Sequence, residues 1–410
     1  MNDTCERVVI VGAGHAGGSA AALLRQYGWQ GPITLIGAEP LVPYQRPPLS
    51  KGWLKGQEAP ADLLLRPAAF YQTNRIDLRL SSSVATIDRA TRTTTLTTGE
   101  SIAYDHLILA TGSHARPLPV PGHDLHGIVE LRTLADADHL RTLLHPGARL
   151  AVIGAGYIGL EVAASARALG TDVVVIEREA RALARVASVP LADFFQQRHA
   201  AAGVRIVLNA TVEAFEGRNG HVTAVRLSDG EAILCDAVLV GVGAAPNDAL
   251  ARAAGLDCAN GIVVDLGART SDAAIHAIGD CTQRPLPRYQ RAGRLESVPN
   301  ALEQAKQAAA DLCGRPPPAP EVPWFWSDQY EVRLQIAGLP FDVADIVVRG
   351  DPSAGGFAIF HLSADGTVQA VEAVNAPAEF MAGRLMISRH RQVVAARLRD
   401  VSCSIRELAG

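Results

Sequence analysis

The chain is short of several things that would each define a protein class. Its six cysteines are Cys5, Cys235, Cys258, Cys281, Cys313 and Cys403; none are spaced as CxxC, and the nearest pairs stand 23 residues apart. That excludes a paired zinc-ligand motif and a redox-active dithiol, and it fits a reducing compartment. No sign of charge dominates: 38 Lys and Arg face 42 Asp and Glu, a net charge of −4. No overall field therefore favours nucleic acid or an anionic membrane surface. No unbroken apolar run approaches the roughly 20 residues that span a bilayer. The first strand-like run begins close to Met1, leaving no room for a signal peptide. A soluble cytoplasmic protein is expected, with neither nucleic acid nor membrane as partner. A chain of 410 residues, 48% hydrophobic, has room for roughly two to three domains with substantial cores.

Glycine, by contrast, is placed with care. Gly12-Ala13-Gly14-His15-Ala16-Gly17 follows the apolar run Val8-Val9-Ile10-Val11, and Gly154-Ala155-Gly156-Tyr157-Ile158-Gly159 follows Leu150-Ala151-Val152-Ile153. Both runs open Ala- and Leu-rich helical segments. In such a fingerprint the first Gly permits a tight turn and the second lets the backbone approach a pyrophosphate. The third lets helix and strand pack closely, with the phosphates at the helix N-terminus. One fingerprint is weak evidence. Two, each between strand and helix, imply two bound dinucleotides and electron transfer between them.

The first unit reads as strand 7–12, helix 16–27 and strand Ile33–Ile36, a βαβ pattern that builds a parallel sheet. Glu39 lies 22 residues past Gly17, where a carboxylate accepts ribose hydroxyls; a solvated turn glutamate is the alternative. The second unit repeats the design with helix 157–169, Gly170 as C-cap and strand Asp172–Ile176. Glu177, 18 residues past Gly159, repels a 2′-phosphate and favours NADH, whereas Arg178 beside it would welcome that phosphate. The runs Leu107–Gly112 and Val238–Gly243 mark where the chain leaves each unit, so the second unit reads as inserted into the first. Arg315-Pro316-Pro317-Pro318-Ala319-Pro320 reads as a stiff linker. Beyond it, strand-like runs at 332–337, 343–349, 357–362 and 368–374, with a helix from about 377, predict an α+β domain.

These residues resemble the FAD-dependent, NADH-utilising ferredoxin reductases that serve bacterial cytochromes P450 and ring-hydroxylating dioxygenases, within the wider flavoprotein disulfide reductase superfamily. The resemblance runs nearly end to end. It includes Pro43-Tyr44-Gln45-Arg46-Pro47-Pro48-Leu49-Ser50-Lys51, Ala110-Thr111-Gly112, Leu131-Arg132-Thr133, Pro246-Asn247, Ile278-Gly279-Asp280-Cys281, Ser297-Val298-Pro299-Asn300-Ala301 and Trp324-Phe325-Trp326-Ser327-Asp328-Gln329. It implies an α/β fold with two Rossmann-like dinucleotide-binding domains and a C-terminal α+β interface domain. The FAD-binding domain would be discontinuous, 1–115 and 243–320, with the NAD-binding domain inserted at 116–242 and the interface domain at 321–410. FAD would take the first fingerprint (Gly12, Gly14, His15, Ala16, Gly17), with Glu39, Arg46, Lys51, Val84, Ala110, Thr111, Gly112, Arg132, Gly279, Asp280, Ser297, Val298 and Trp326. NADH would take Gly154, Gly156, Tyr157, Ile158, Gly159, Glu161, Glu177 and Gly243.

Within that frame each residue has a chemical argument and a bland rival. Asp280 closes an edge strand where it can accept from ribityl hydroxyls; the rival is a helix N-cap. Ser297 precedes a helix reaching about residue 312, with Pro299 in its first turn and a dipole favouring negative charge on the flavin. Lys51 and Glu161 are the expected catalytic pair: the resemblance sets them beside the hydride-accepting atom, with Glu161 in the first helical turn. Their rivals are a lysine reaching solvent and a glutamate stabilising its helix N-terminus. Tyr157 would cover the nicotinamide side of the flavin and Trp326 would stack at the other end of the pocket. Neither aromatic needs more than a core role without the resemblance.

The expected partner is an acidic [2Fe–2S] ferredoxin, feeding a cytochrome P450 or Rieske-type oxygenase, and the chain itself would be a monomer or weak homodimer. Arg384, Arg389, His390, Arg391, Arg397 and Arg399, with Arg66, would form the basic docking surface, or simply a solvated helix face. A disulfide reductase needs a cysteine pair, and an NADH oxidase or peroxidase needs one reactive cysteine near Ser50 and Lys51. None stands between Cys5 and Cys235. A signalling flavoprotein resembling apoptosis-inducing factor remains the alternative of another class.

Overall fold

The computed structural model describes residues 6–410, so Cys5 lies outside the described residues. The chain divides into two compact units: one of residues up to 45, 60–114 and 245–323, the other of 46–59, 115–244 and 324–410.

The first unit is built on a five-stranded sheet in the order Ile275–Ala277, His106–Leu109, Val8–Val11, Ile33–Ile36, Ile76–Arg79. All neighbours are parallel, with Val8 opposite both Ile33 and His106. A parallel sheet is covered on both faces, which is why Val8–Val11 reads as an unbroken apolar run and is wholly buried. One face carries the helices His15–Tyr27 and Val298–Leu312, joined through Ala20, Ala21, Leu24, Ala301, Ala305 and Ala308. The small side chains bring helix backbones close, and full burial of Leu24 or Ile10 contributes about 1.5–3 kcal/mol each. The opposite face packs Val9, Val11, Leu107 and Leu109 against Ile87, Leu96 and Ile262. Gly28 ends the first helix at φ +101°, its N–H bonding back to Arg25 and Leu24.

The second unit holds another parallel sheet, ordered Arg205–Val207, Asp172–Ile176, Arg149–Ile153, Ala237–Val240, Ile128–Val129. The helix Tyr157–Ala168 follows its central strand, and Gly170 turns the chain at φ +82° just past the helix end. The same unit contains a five-stranded antiparallel sheet ordered Trp324–Gln329, Val332–Gly338, Val368–Val374, Gly356–Leu362, Asp345–Asp351, with the helix Pro377–Ser388 after it. Two parallel dinucleotide sheets and a C-terminal α+β sheet bear out the expected fold class. The proline run 315–320 forms no regular element. The C-terminal sheet has a strand more than the sequence reading gave it: Trp-Phe-Trp-Ser-Asp-Gln forms an edge strand, paired from Trp324 opposite Ala337 to Gln329 opposite Val332.

Candidate functional site

The two fingerprints can be tested by asking what a methyl group would meet at each glycine. In the first unit Gly12 sits at φ +114° and a Cβ there would lie 2.1 Å from the Ala110 carbonyl oxygen. At Gly17 a Cβ would lie 1.9 Å from the Gly12 oxygen, whereas at Gly14 it would meet nothing within 4 Å. The second fingerprint repeats this: Gly154 at φ +99°, Gly159 with 2.3 Å to the Gly154 oxygen, and Gly156 with open space. The first glycine makes the turn, the third seats the helix, and the second presents bare backbone outward. Gly14 and Gly156 are the N-caps of their helices and neither makes a side-chain cap, leaving first-turn amides for an anion.

Around the first fingerprint several predicted residues converge. A Cβ on Gly279 would touch the Ala16 methyl at 3.1 Å, and Ser113 Oγ donates to Asp280 Oδ2 at 3.0 Å. Thr111 Oγ1 donates to the Asn247 carbonyl at 2.7 Å while Asn247 Nδ2 donates to the Thr111 carbonyl at 2.8 Å, fixing the Ala110-Thr111-Gly112 turn. His15 Nδ1 is buried and finds no hydrogen-bond partner among the described residues. Burial pulls its pKa down to about 4, with Asp280 opposing and Arg66 assisting. Tyr44 donates to Glu39 Oε2 at 2.6 Å, holding that carboxylate at the end of its strand. Ser297 caps the helix Val298–Leu312, accepting from Asn300 N at 3.2 Å. Val84 is partly buried and packs with the apolar cluster under the sheet.

In the second unit Glu177 ends its strand with both oxygens engaged, accepting from Ala155 N at 2.7 Å and Glu179 N at 3.0 Å. It thereby clamps the glycine turn it faces. Arg178 leans on Glu179 at 3.0 Å, largely exposed. Gly243 sits at φ +109°, and a Cβ there would lie 3.6 Å from the Arg185 side chain and 3.8 Å from that of Arg116. Tyr157 packs edge-on against Phe325, centroids 4.9 Å apart, with its hydroxyl 3.3 Å from the Val186 carbonyl. Ile158 is exposed. Trp326 lies beside Trp324, centroids 5.6 Å apart.

Lys51 and Glu161 meet in this unit. Pro47 and Pro48 start a 3₁₀ turn, Pro47–Ser50, where fixed φ and missing N–H groups do no harm. Trp53 Nε1 donates to Asp138 Oδ1 at 2.9 Å, tying the segment to the helix Leu134–Leu143. Lys51 emerges from that turn with Nζ 2.7 Å from Glu161 Oε2 and 3.1 Å from the Pro47 carbonyl. The side chains are 17% and 6% exposed, so the lysine is largely, though not wholly, withdrawn from solvent. Glu161 does not lie in the first helical turn, the position expected from the sequence. The helix starts at Tyr157, inside the fingerprint, so Glu161 falls in the second turn and faces the protein. Arg46 donates to the Arg132 carbonyl within the same unit.

Three residues around this pair were not singled out by the sequence reading. Ser50 Oγ donates to Glu161 Oε2 at 2.5 Å, Ser327 Oγ donates to Oε1 at 2.6 Å, and Ser165 Oγ holds the Ser50 carbonyl at 2.8 Å. The period-two alternation of Trp324 to Gln329 was the available clue, since it sets Phe325, Ser327 and Gln329 on one face. The arginine run also differs from a single helix face. Arg389 and His390 follow the helix Pro377–Ser388, and Arg397 and Arg399 belong to the short helix Ala395–Arg399. Arg384 covers Trp324 at 5.6 Å; Arg66 covers Phe70 at 5.1 Å in the other unit. Among the described residues no group of three or more His, Cys, Asp or Glu is placed to hold a metal, and no helix is long and apolar enough to cross a membrane.

The open faces at Gly14 and Gly156, the free first-turn amides and the orphaned His15 nitrogen fit two dinucleotides. Comparison with known proteins agrees. The family model for pyridine nucleotide-disulphide oxidoreductases matches residues 6–305, and that for a reductase C-terminal domain matches 324–409. The chain is 51% identical to the probable ferredoxin reductase CtmF of Castellaniella defragrans, over 98% of this chain and 99% of that one. It is 42% identical to putidaredoxin reductase CamA of Pseudomonas putida, over 98% and 96%. The crystal structure of the covalent putidaredoxin reductase–putidaredoxin complex superposes with a TM-score of 0.96 at 42% identity, covering 98% of each chain. A ferredoxin reductase for the CYP199A2 system of Rhodopseudomonas palustris does so at 0.95, with 41% identity, covering 99% of this chain and 100% of that one. The chain belongs to the pyridine nucleotide-disulphide oxidoreductase family, as a flavoenzyme of the ferredoxin reductase kind that uses FAD and NAD(H).

Proposed function

We propose that this enzyme carries electrons from NADH to a [2Fe–2S] ferredoxin that feeds a cytochrome P450 or a Rieske-type, ring-hydroxylating oxygenase in the cytoplasm. Residues 1–115 and 243–320 bind FAD, 116–242 bind NADH and 321–410 form the interface domain. The observation that carries the reading is the Lys51–Glu161 pair, 2.7 Å apart and largely withdrawn from solvent, in the unit that holds the second fingerprint. Bound FAD supplies the chemistry that proteins lack, accepting a hydride and releasing electrons singly.

The chain's own residues supply position and charge. Gly12, Gly14, His15, Ala16 and Gly17 cradle the FAD pyrophosphate, with Glu39 on the ribose and Asp280 on the ribityl chain. Arg46, Val84, Ala110, Thr111, Gly112, Arg132, Gly279, Ser297, Val298 and Trp326 complete that site. Gly154, Gly156, Tyr157, Ile158, Gly159 and Gly243 hold NADH, and Glu177 disfavours a 2′-phosphate. Lys51 keeps a positive charge at the reacting end, and Glu161 keeps Lys51 there; a charge fixed before reaction costs no reorganisation during it. No residue needs to act as acid or base. Arg384, Arg389, His390, Arg391, Arg397, Arg399 and Arg66 offer positive charge to an acidic partner, and the reductase works as a monomer or weak homodimer.

The test is acceptor specificity. With NADH, the purified flavoprotein is expected to reduce a [2Fe–2S] ferredoxin at least tenfold faster than a rubredoxin, the acceptor class in the name of another relative, 44% identical over 83% of this chain. Brisk ferricyanide reduction with no ferredoxin reduction would overturn the assignment. A long-lived charge-transfer species in that case would favour a signalling role.

A further inference from the structure

Glu161 is held from two sides. Its Oε2 accepts from Lys51 and Ser50, but Oε1 belongs to a separate chain that leads away from Lys51. Ser327 Oγ donates to Oε1 at 2.6 Å, and Gln329 Nε2 donates to Ser327 Oγ at 3.2 Å. Gln329 Oε1 lies 2.8 Å from His199 Nε2, and the Tyr330 hydroxyl lies 3.0 Å from His199 Nδ1. Ser327, Gln329 and His199 are 0%, 1% and 0% exposed.

The polarity of every link is fixed by its neighbour. An ionised carboxylate only accepts, so the Ser327 proton points at Glu161. Ser327 then has lone pairs to offer, and the Gln329 amide N–H fills one. The amide carbonyl is thereby turned to His199, whose Nε2 must carry the ring proton. Nδ1 is left as an acceptor, and the Tyr330 hydroxyl donates to it. Four hydrogen bonds run one way, from the edge of the unit to Glu161 Oε1. A neutral imidazole is what this chain needs, and burial lowers the His199 pKa to about 4, partly opposed by the Gln329 hydrogen bond and reinforced by Arg198.

We propose that Gln329 and His199 are positioning residues, which aim a one-way chain of donors at Glu161 Oε1 and so lock the carboxylate against Lys51. The inference rests on the reading of Lys51 and Glu161 given above. Without the chain, Ser327 is free to turn its proton elsewhere and Glu161 loses its only partner on Oε1 among those described.

Two substitutions break the chain while keeping its volume. Gln329→Glu still accepts from His199 but cannot donate, so it draws the Ser327 proton to itself; Gln329→Met does neither. At the next link His199→Gln keeps a donor near the Nε2 position, whereas His199→Phe removes it. The readouts, in the FAD-loaded protein, are the ¹⁵Nζ resonance of Lys51 among those of Lys51, Lys55 and Lys306, and the rate constant and apparent Kd of NADH-dependent flavin reduction. Gln329→Glu, Gln329→Met and His199→Phe are expected to move the Lys51 resonance toward those of the other lysines. They should also slow reduction by about tenfold with Kd unchanged, the scale of one hydrogen bond to a charged group, whereas His199→Gln should stay within about threefold of the parent. An unmoved resonance and an unchanged rate in both Gln329 variants would overturn the positioning role. Glu161→Gln separates the two levels. If it moves the Lys51 resonance but leaves the rate alone, the reading of the pair itself fails.

Discussion

The two fingerprints allow ligand binding and fold stability to be separated by single methyl groups. Gly156 stands at φ −79° and ψ 177°, which any L-residue adopts, and a Cβ there meets nothing within 4 Å. Gly156→Ala should therefore leave the unliganded protein within about 0.5 kcal/mol of the parent, as for most substitutions without a structural conflict. Its methyl group would instead occupy the space through which the backbone approaches the NADH pyrophosphate. Losing one backbone hydrogen bond to a charged phosphate costs about 1.5–3 kcal/mol, or roughly a 10- to 100-fold rise in Kd. Gly159→Ala reverses the pattern. Its Cβ would lie 2.3 Å from the Gly154 oxygen, so the helix must back away from its strand by about 1 Å, with an overpacking penalty of about 1–3 kcal/mol. The paired assay is thermal unfolding without nucleotide and titration with NADH under anaerobic conditions. Should Gly156→Ala bind NADH as the parent does, the open face of that glycine is not where the dinucleotide lies. Should it unfold as early as Gly159→Ala, the reasoning from empty space is wrong.

Two further outcomes are expected. Glu177→Ala removes the carboxylate that ends the second-unit strand and leaves Arg178 exposed beside it. NADPH use should rise at least tenfold relative to NADH, measured as the ratio of kcat/KM values; an unmoved ratio would deny Glu177 its part in discrimination. Acid stability follows from His15 and His199, whose folded pKa values both fall to about 4. Below their unfolded value near 6.5 the unfolded chain binds protons that the folded one refuses, so stability drops as pH falls from about 6.5 to 4 and each histidine contributes at most about 3 kcal/mol. Denaturant unfolding across that window should show the slope, and His199→Gln should flatten it.

The parallel sheets were legible because their central strands are short apolar runs, with glycine directly after Val8–Val11, Ile33–Ile36, Arg149–Ile153 and Ala237–Val240, and the strand boundaries at Ile33–Ile36 and Asp172–Ile176 match the structure residue for residue. The glycine roles were legible for the same reason, since backbone geometry is written locally. The surroundings of Glu161 were not. Ser50, Glu161 and Ser327 are separated by more than 100 residues at each step, and only tertiary packing brings them together. An aromatic-rich segment such as Trp324–Gln329 draws the eye to its rings, whereas the small polar residues on its other face make the contacts. His199 carries no local signal, being one more polar residue in a weakly patterned helix whose neighbour Arg198 binds Glu331 at 2.6 Å.

The absence of a dithiol and the presence of the lysine pair are two sides of one design. Relatives that pass electrons through sulfur need a thiolate in the site. Here the two buried sulfurs among the described residues, Cys281 and Cys235, are in no state to serve. Cys281 is fully buried, donating at 3.3 Å to the Ile278 carbonyl, and burial raises its pKa; burial pushes Cys235 up to about 12. Both remain protonated at neutral pH, and a protonated buried thiol is a poor nucleophile. Where a reactive cysteine would be expected, the chain places Ser50 and Lys51, which together with Ser327 donate to one buried carboxylate, Glu161. That arrangement stores no electrons. On the function proposed above, it holds charge fixed next to a cofactor that does, and an external one-electron carrier is the route by which reducing equivalents leave the protein.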